Sequence, residues 1–376
     1  MRDYRKEFSD FAPTVYLDCA YQGPLPRDTA ERIHQAIELK SRPDRLESPE
    51  YFRLPERVRA RLARLVGAKP SELALTSSAT QGIGIVASGL DLKPGDEVIV
   101  SSSNFPANLF TWMHLRRKGV VVHVLKPSPG EVSVQQVRDA LTPRTRLLAL
   151  DWVNYSTGAR IDLAAFGELM RPQGGLFVVD GTQGVGALDL NLHDLPVDAM
   201  AVASYKWLLG PYGTGFVYLS RRLQERLDLP VVNWYAVEGS EDFDALPMDR
   251  FSLPQEARVF DMGETANFIN LYGLEASLEF VEAAGVKAVT EHCHLLLDRL
   301  IEGVRRRGLR LSAAAEPPYR STILGFQADS LEKTTTLHRN LRANHVAVSL
   351  RQGMIRVSPY LYNTEPDIDR LLEILG

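Results

Sequence analysis

Short apolar, often β-branched runs recur through the first two-thirds of the chain, at residues 73–76, 97–101, 120–125, 147–151, 176–180, 198–204 and 215–219. Such runs read as buried strands. Between them, residues 80–90, 106–117, 132–141 and 163–171 carry apolar positions at helical spacing and are long enough for right-handed crossovers. The alternation predicts an α/β fold: a three-layer α/β/α domain around a seven-stranded, mostly parallel sheet.

Past residue 219 the pattern changes. A stretch with few regular signals, 230–261, leads into two amphipathic helices at 267–284 and 287–307. A small α+β unit follows, with strands at 310–313, 322–326, 346–349 and 354–358, a helix at 333–344, and a last helix starting near 365. The division expected is a large domain over 16–260 and a smaller α+β domain built from 1–15 and 261–376, which suits a chain of 376 residues.

The charge balance, 43 Lys+Arg against 47 Asp+Glu, gives a formal −4 and no basic footprint for nucleic acid or an acidic membrane. Partners should be small molecules or other protein chains. The two cysteines, Cys19 and Cys293, are too far apart in sequence for a CxxC site or a disulfide framework, and point to a reducing cytoplasm. The first residues lack the apolar run of a signal peptide, and no stretch approaches the ~18 apolar residues of a membrane span.

The chemistry is concentrated at strand ends. Asp180 closes the run Leu176-Phe177-Val178-Val179, and Lys206 follows the next strand in Ser204-Tyr205-Lys206. In an open α/β sheet the carboxyl ends of the strands form the ligand crevice, so the acid and the amine face one site. An amine that condenses with an aldehyde, and an acid that keeps a ring nitrogen protonated, are what pyridoxal 5'-phosphate (PLP) requires. Singly, Asp180 reads as a turn cap and Lys206 as a surface lysine, but the apolar residues flanking Lys206 would depress its amine by desolvation.

Three more strand ends carry signals. Residues 73–84 form a strand, a turn of small hydroxylated residues and a helix start, where the amides of Ala79 and Thr80 with the Thr80 hydroxyl offer a phosphate site or a plain N-cap. Gly82-x-Gly84 lacks the third glycine and the acidic residue of a dinucleotide fingerprint. Ser101–Pro106 presents Phe105, either to stack on a cofactor ring or to pack the loop, and Asn154 follows the strand ending at Asp151, as a ligand donor or a turn residue before Gly158.

In this order, Ala79-Thr80, Asn104-Phe105-Pro106, Asn154 with Thr157-Gly158, Asp180 through Gln183 and Ser204 through Lys206 resemble the class V aminotransferase family, which includes cysteine desulfurases, kynureninases and isopenicillin N epimerases. The resemblance runs from Tyr16 to Thr364. It implies the PLP-dependent transferase fold with Lys206 as Schiff-base lysine and proton shuttle, Asp180 on the pyridinium and Gln183 on the ring hydroxyl. It further implies Ala79, Thr80 and Ser204 on the phosphate, Phe105 in the place of the stacking aromatic, and Thr265 reaching the partner's phosphate across a homodimer interface. The stretch 348–364 resembles the substrate-carboxylate region, with Arg356 the first choice for a bidentate grip and Arg351 the second.

Desulfurases carry a nucleophilic cysteine just before the second arginine. Here four residues separate Arg351 from Arg356 and none is cysteine. The expected reaction is therefore removal of a proton from an amino-acid substrate by Lys206, leading to a lyase without a persulfide cysteine or to a transaminase; a kynureninase-like hydrolase, an epimerase and a catalytically idle PLP-fold protein are the alternatives. His292-Cys293-His294 is not expected to bind metal, because residues two apart on a helix face different ways; two surface histidines flanking a buried cysteine are expected instead.

Overall fold

The computed structural model describes residues 3–376 apart from 48, 128–130, 230, 243, 247 and 264–266. A short strand β1 (Val15–Tyr16) precedes two helices, α1 (Arg27–Ser41) and α2 (Glu50–Val66). The expected strands then follow as β2 (Leu73–Thr76), β3 (Glu97–Ser101), β4 (Val121–Leu125), β5 (Thr145–Asp151), β6 (Leu176–Asp180), β7 (Ala199–Ala203) and β8 (Gly215–Leu219). They make one sheet in the order β2-β8-β7-β6-β5-β3-β4, in which β8 alone runs antiparallel to its neighbours.

Period-two alternation sorts the strand residues onto the two faces. Val98, Val100, Leu147, Ala149, Leu176, Val178, Ala199 and Ala201 share one core with α3 (Ala79–Gly89) and α4 (Ala107–Met113). Ile99, Leu148, Leu150, Phe177, Val179, Met200 and Val202 share the other with α2, α5 (Val134–Ala140), α6 (Leu163–Met170) and α8 (Phe268–Ala284). Burial of strands on both faces is why they read as continuous apolar runs.

After α7 (Arg221–Gln224) and α8, the helix α9 (Val286–Arg306) leads into a four-stranded antiparallel sheet of β9 (Arg310–Leu311), β10 (Leu324–Gln327), β12 (Ser349–Arg351) and β13 (Met354–Val357), with helices α10 (Leu331–Ala343) and α11 (Glu365–Leu375). The strand β11 (Val346–Ala347) pairs in parallel with β1, and Asp18 bridges to Ser358, so the N-terminal residues join this smaller unit as far as Asp18. Two helices had no expectation in the sequence. In α1 only Thr29 and Ala36 are buried, so its apolar stripe is faint, and α2 holds Pro55 within its length, which ordinarily argues against a helix.

Candidate active site

The carboxyl ends of β3, β5, β6 and β7 open onto one rim, and a cavity there is lined by Ala79, Thr80, Phe105, Asp180, Gln183 and Lys206 together with Asp151, Tyr155, Thr182 and Tyr205. Lys206 is 7% exposed, and its amine is pushed down to about 8, chiefly by burial. Asp180 and Asp151 pull it back up, while the guanidinium groups of Arg356 and Arg351 push it further down. Its Nζ lies 5.4 Å from the Phe105 ring and 5.7 Å from that of Tyr205, which stacks in turn on Tyr212 at 4.7 Å. Gly23 closes over the lysine loop: its N–H donates to Tyr205 O at 2.9 Å, and a Cβ there would lie 1.9 Å from Lys206 O.

Asp180 accepts from the Thr182 amide at 2.9 Å, and burial raises its carboxyl. Gln183 is buried; its Oε1 accepts from Trp207 Nε1 at 2.9 Å and its Nε2 donates to Ala20 O at 3.0 Å, which leaves one amide hydrogen for the cavity. At the start of α3 the Ser78 hydroxyl accepts from Gln81 N at 3.2 Å, while the Ala79 and Thr80 amides stand in the first turn, where a helix offers no acceptor. Ser204 lies between Ala203 and Tyr205, both in the cavity wall, and its buried hydroxyl has no hydrogen-bond partner among the described residues.

Some expected residues stand elsewhere. Asn154 is 3% exposed and absent from the lining: its Oδ1 accepts from Ser156 N, Ser156 Oγ and Thr157 N, and its Nδ2 donates to Ser103 O at 3.1 Å. The turn reading of Asn154 is the one realised, and Tyr155, one residue on, reaches the cavity instead. Arg356 is 2% exposed and tied down, donating to Asp18 Oδ1 at 3.0 Å and Tyr155 O at 2.7 Å; its Nε is buried without a partner among the described residues. Arg351 is half-buried, lies 5.6 Å from the Tyr21 ring and meets no carboxylate among the described residues. Thr265 lies outside the described residues.

Asp151, Tyr155, Thr182 and Tyr205 had no expectation of their own, although Asp151 ends a strand just as Asp180 does, and that was signal enough to find it. Cys19 and Cys293 are fully buried, and burial pushes both thiols up. The two histidines beside Cys293 are half-buried rather than on the surface, since His292 Nε2 meets Asn363 O at 3.0 Å in the loop before α11 and His294 lies against Arg320 and Ser321. Among the described residues no group of three or more His, Cys, Asp or Glu could hold a metal ion, and no helix is long and apolar enough to cross a membrane.

An amine lowered to about 8, a buried acid and free helix-start amides fit a phosphorylated pyridine aldehyde; Ser204 itself is absent from the cavity lining. The model of the family "Aminotransferase class-V" matches residues 47–371. The chain belongs to the class V aminotransferases. It is 30% identical to an isopenicillin N epimerase of Amycolatopsis lactamdurans, over 99% of this chain and 96% of that one. It is 26% identical to a probable cysteine desulfurase of Methanothermobacter thermautotrophicus, with the same coverage. Among solved structures, a C-DES mutant with glycine covalently linked to its PLP cofactor superposes with a TM-score of 0.89 at 20% identity, covering 100% of this chain and 99% of that one. At that identity the likeness speaks for the fold. As a class V aminotransferase, the protein has PLP as its cofactor.

Proposed function

We propose that this class V aminotransferase performs one-base chemistry at the α-carbon of an amino acid, as a lyase that expels a β-substituent without forming a protein persulfide. One observation carries the reading: Lys206 is the only amine lining the cavity among the described residues, and both cysteines are sealed in the core. Bound PLP supplies an aldehyde that condenses with amines and a ring that accepts electrons. Lys206 holds the cofactor and then, released by the incoming substrate, takes the α-proton on Nζ; an amine near 8 is matched to that task at neutral pH. Asp180 would hold the ring nitrogen, the remaining Gln183 amide hydrogen the ring hydroxyl, and Ala79, Thr80 and Ser204 the phosphate. Arg351 through its open fork, and Arg356 by exchanging its present hold on Tyr155 O, would receive the substrate carboxylate, and the downward push of both on the Lys206 amine supports that placing.

The test is incubation of the PLP-loaded enzyme with L-cysteine, cystine, alanine and kynurenine, with products and cofactor spectrum followed together. Oxoacid with a released leaving group and unchanged cofactor supports the lyase. Oxoacid with conversion to pyridoxamine phosphate makes it a transaminase, and Lys206→Ala abolishes either. Epimerisation is the second reading, favoured by the full-length similarity to an isopenicillin N epimerase. It requires a proton donor on the opposite face, for which Tyr155 and Tyr205 are the candidates, and accumulation of the D-isomer would establish it.

A homodimer completing the site is part of the same proposal. It is supported by the resemblance of the chain to a family whose members bring a threonine across the two-fold interface, the position Thr265 takes in this sequence. Sedimentation of a fully active monomer would overturn it.

A further inference from the structure

Asp151 and Asp180 end neighbouring parallel strands in register, Asp151 opposite Asp180. Alternation turns both toward the α3 and α4 face, because Ala149 and Val178, two residues before each, lie in that core. Directly opposed side chains in a sheet start about 5 Å apart at Cβ, and both carboxylates line the cavity. One acid suffices to face a pyridinium, so the second is surplus to the reading above.

The surroundings of Asp151 show what it holds. Its Oδ2 accepts from the Phe105 amide at 2.5 Å and its Oδ1 from Asn108 Nδ2 at 3.0 Å. Asn108 accepts in turn from Trp112 Nε1 at 3.0 Å, and Asn104 donates to Ala149 O at 2.9 Å while its Oδ1 receives the Asp151 amide. Asn104, Asn108 and Trp112 are all buried. This closed network fixes the backbone of a ring that is itself 38% exposed and stands over Lys206.

We propose that Asp151 is a positioning residue for the cofactor: it clamps Phe105 at a set height over the ring, and it forms with Asp180 a two-carboxylate pair at the end of the cavity that takes the ring nitrogen. The charged groups facing the pair are Lys206 beyond β7, on Asp180, and Glu131 across the loops, on Asp151; Arg351 and Arg356 from the smaller sheet act on Lys206 in turn. Burial and then Asp180 drive Asp151 toward its neutral form, the hydrogen bonds from Asn108 and the Phe105 amide oppose them, and Glu131 adds a little to the upward push. Two buried carboxylates beside a single amine cannot both stay ionised cheaply. Entry of a pyridinium therefore ionises the pair fully and releases one proton to solvent, so retention of PLP strengthens with rising pH until the free pair is itself ionised.

The inference rests on the cofactor, not on which reaction follows. The test is the Kd of apo-enzyme for PLP between pH 5.5 and 8.5 by equilibrium dialysis, with the circular dichroism of the bound cofactor, for wild type, Asp151→Asn and Asp151→Ala. Asparagine keeps an acceptor for the Phe105 amide but cannot ionise, so in Asp151→Asn the pH dependence flattens while the cofactor dichroism stays. Alanine loses both, with Kd weakened at least tenfold at pH 8. Wild-type pH profiles in both variants, or weakening by the same factor at every pH, would overturn the pair; undiminished dichroism in Asp151→Ala would overturn the clamp. Failure of the wild type to retain PLP would instead strike the cofactor assignment, a different result.

Discussion

Replacing Glu131 by glutamine isolates the consequence of a carboxyl buried without a cation. Glu131 accepts from Ser103 Oγ at 3.0 Å and from Thr157 Oγ1 at 3.2 Å, and burial pushes it up from 4.5 to about 7. The folded state thus binds this proton more tightly than the unfolded chain. By linkage, the stabilisation is fully present below the unfolded value of 4.5 and is lost as pH rises through 7. The difference, 7 − 4.5 = 2.5, at ~1.36 kcal/mol each, amounts to about 3 kcal/mol lost by pH 8. Glutamine keeps an acceptor and a donor for the two hydroxyls and carries no charge. Urea unfolding of wild type and Glu131→Gln at pH 5, 6, 7 and 8 measures the difference, and subtraction cancels the titrating groups the two share. The variant should match the wild type within about 1 kcal/mol at pH 5 and exceed it by about 1–3 kcal/mol at pH 8. A difference that is flat with pH, or a variant weakest at pH 8, would refute the reasoning.

Asp261→Ala should cost about 1–3 kcal/mol in the same assay, because it leaves Arg59, 2% exposed and held by Asp261 Oδ2 at 2.6 Å, with only the exposed Glu56 at 3.1 Å as its counter-ion; a loss well under about 1 kcal/mol would mean the pair behaves as a surface one. Gly23→Ala drives a Cβ to 1.9 Å from Lys206 O, so the lysine loop must move; PLP affinity should fall at least tenfold by dialysis, and wild-type affinity would count against the close packing. Covalent capture of PLP by apo-enzyme, trapped with borohydride, should quicken about tenfold per pH unit up to about pH 8 and then level off, as the Lys206 amine loses its proton; a plateau reached only above pH 10 would place that amine in solvent.

The large sheet was legible because its signal is local. Apolar runs buried on both faces announce strands, and the ends of β6 and β7 bring Asp180 and Lys206 to one rim through the rule that parallel strands share their carboxyl edge. The same rule placed Phe105 beyond β3 and Ala79 and Thr80 at the start of α3. Direction along a turn was not legible: Asn154 and Tyr155 are adjacent, and only the closing of the turn on Ser156 and Thr157 decides that the tyrosine faces the cavity. Pairings across the whole chain were out of reach as well. Arg356 meets Asp18 over 338 positions, and β1 finds β11 at the far end of the sequence, because no periodicity links residues that only the folded backbone brings together. Burial, finally, is a property of the assembled molecule, so the raised carboxyls of Glu131 and Asp151 and the lowered amine of Lys206 come from the desolvation that tertiary packing imposes on residues whose identity alone leaves them ordinary.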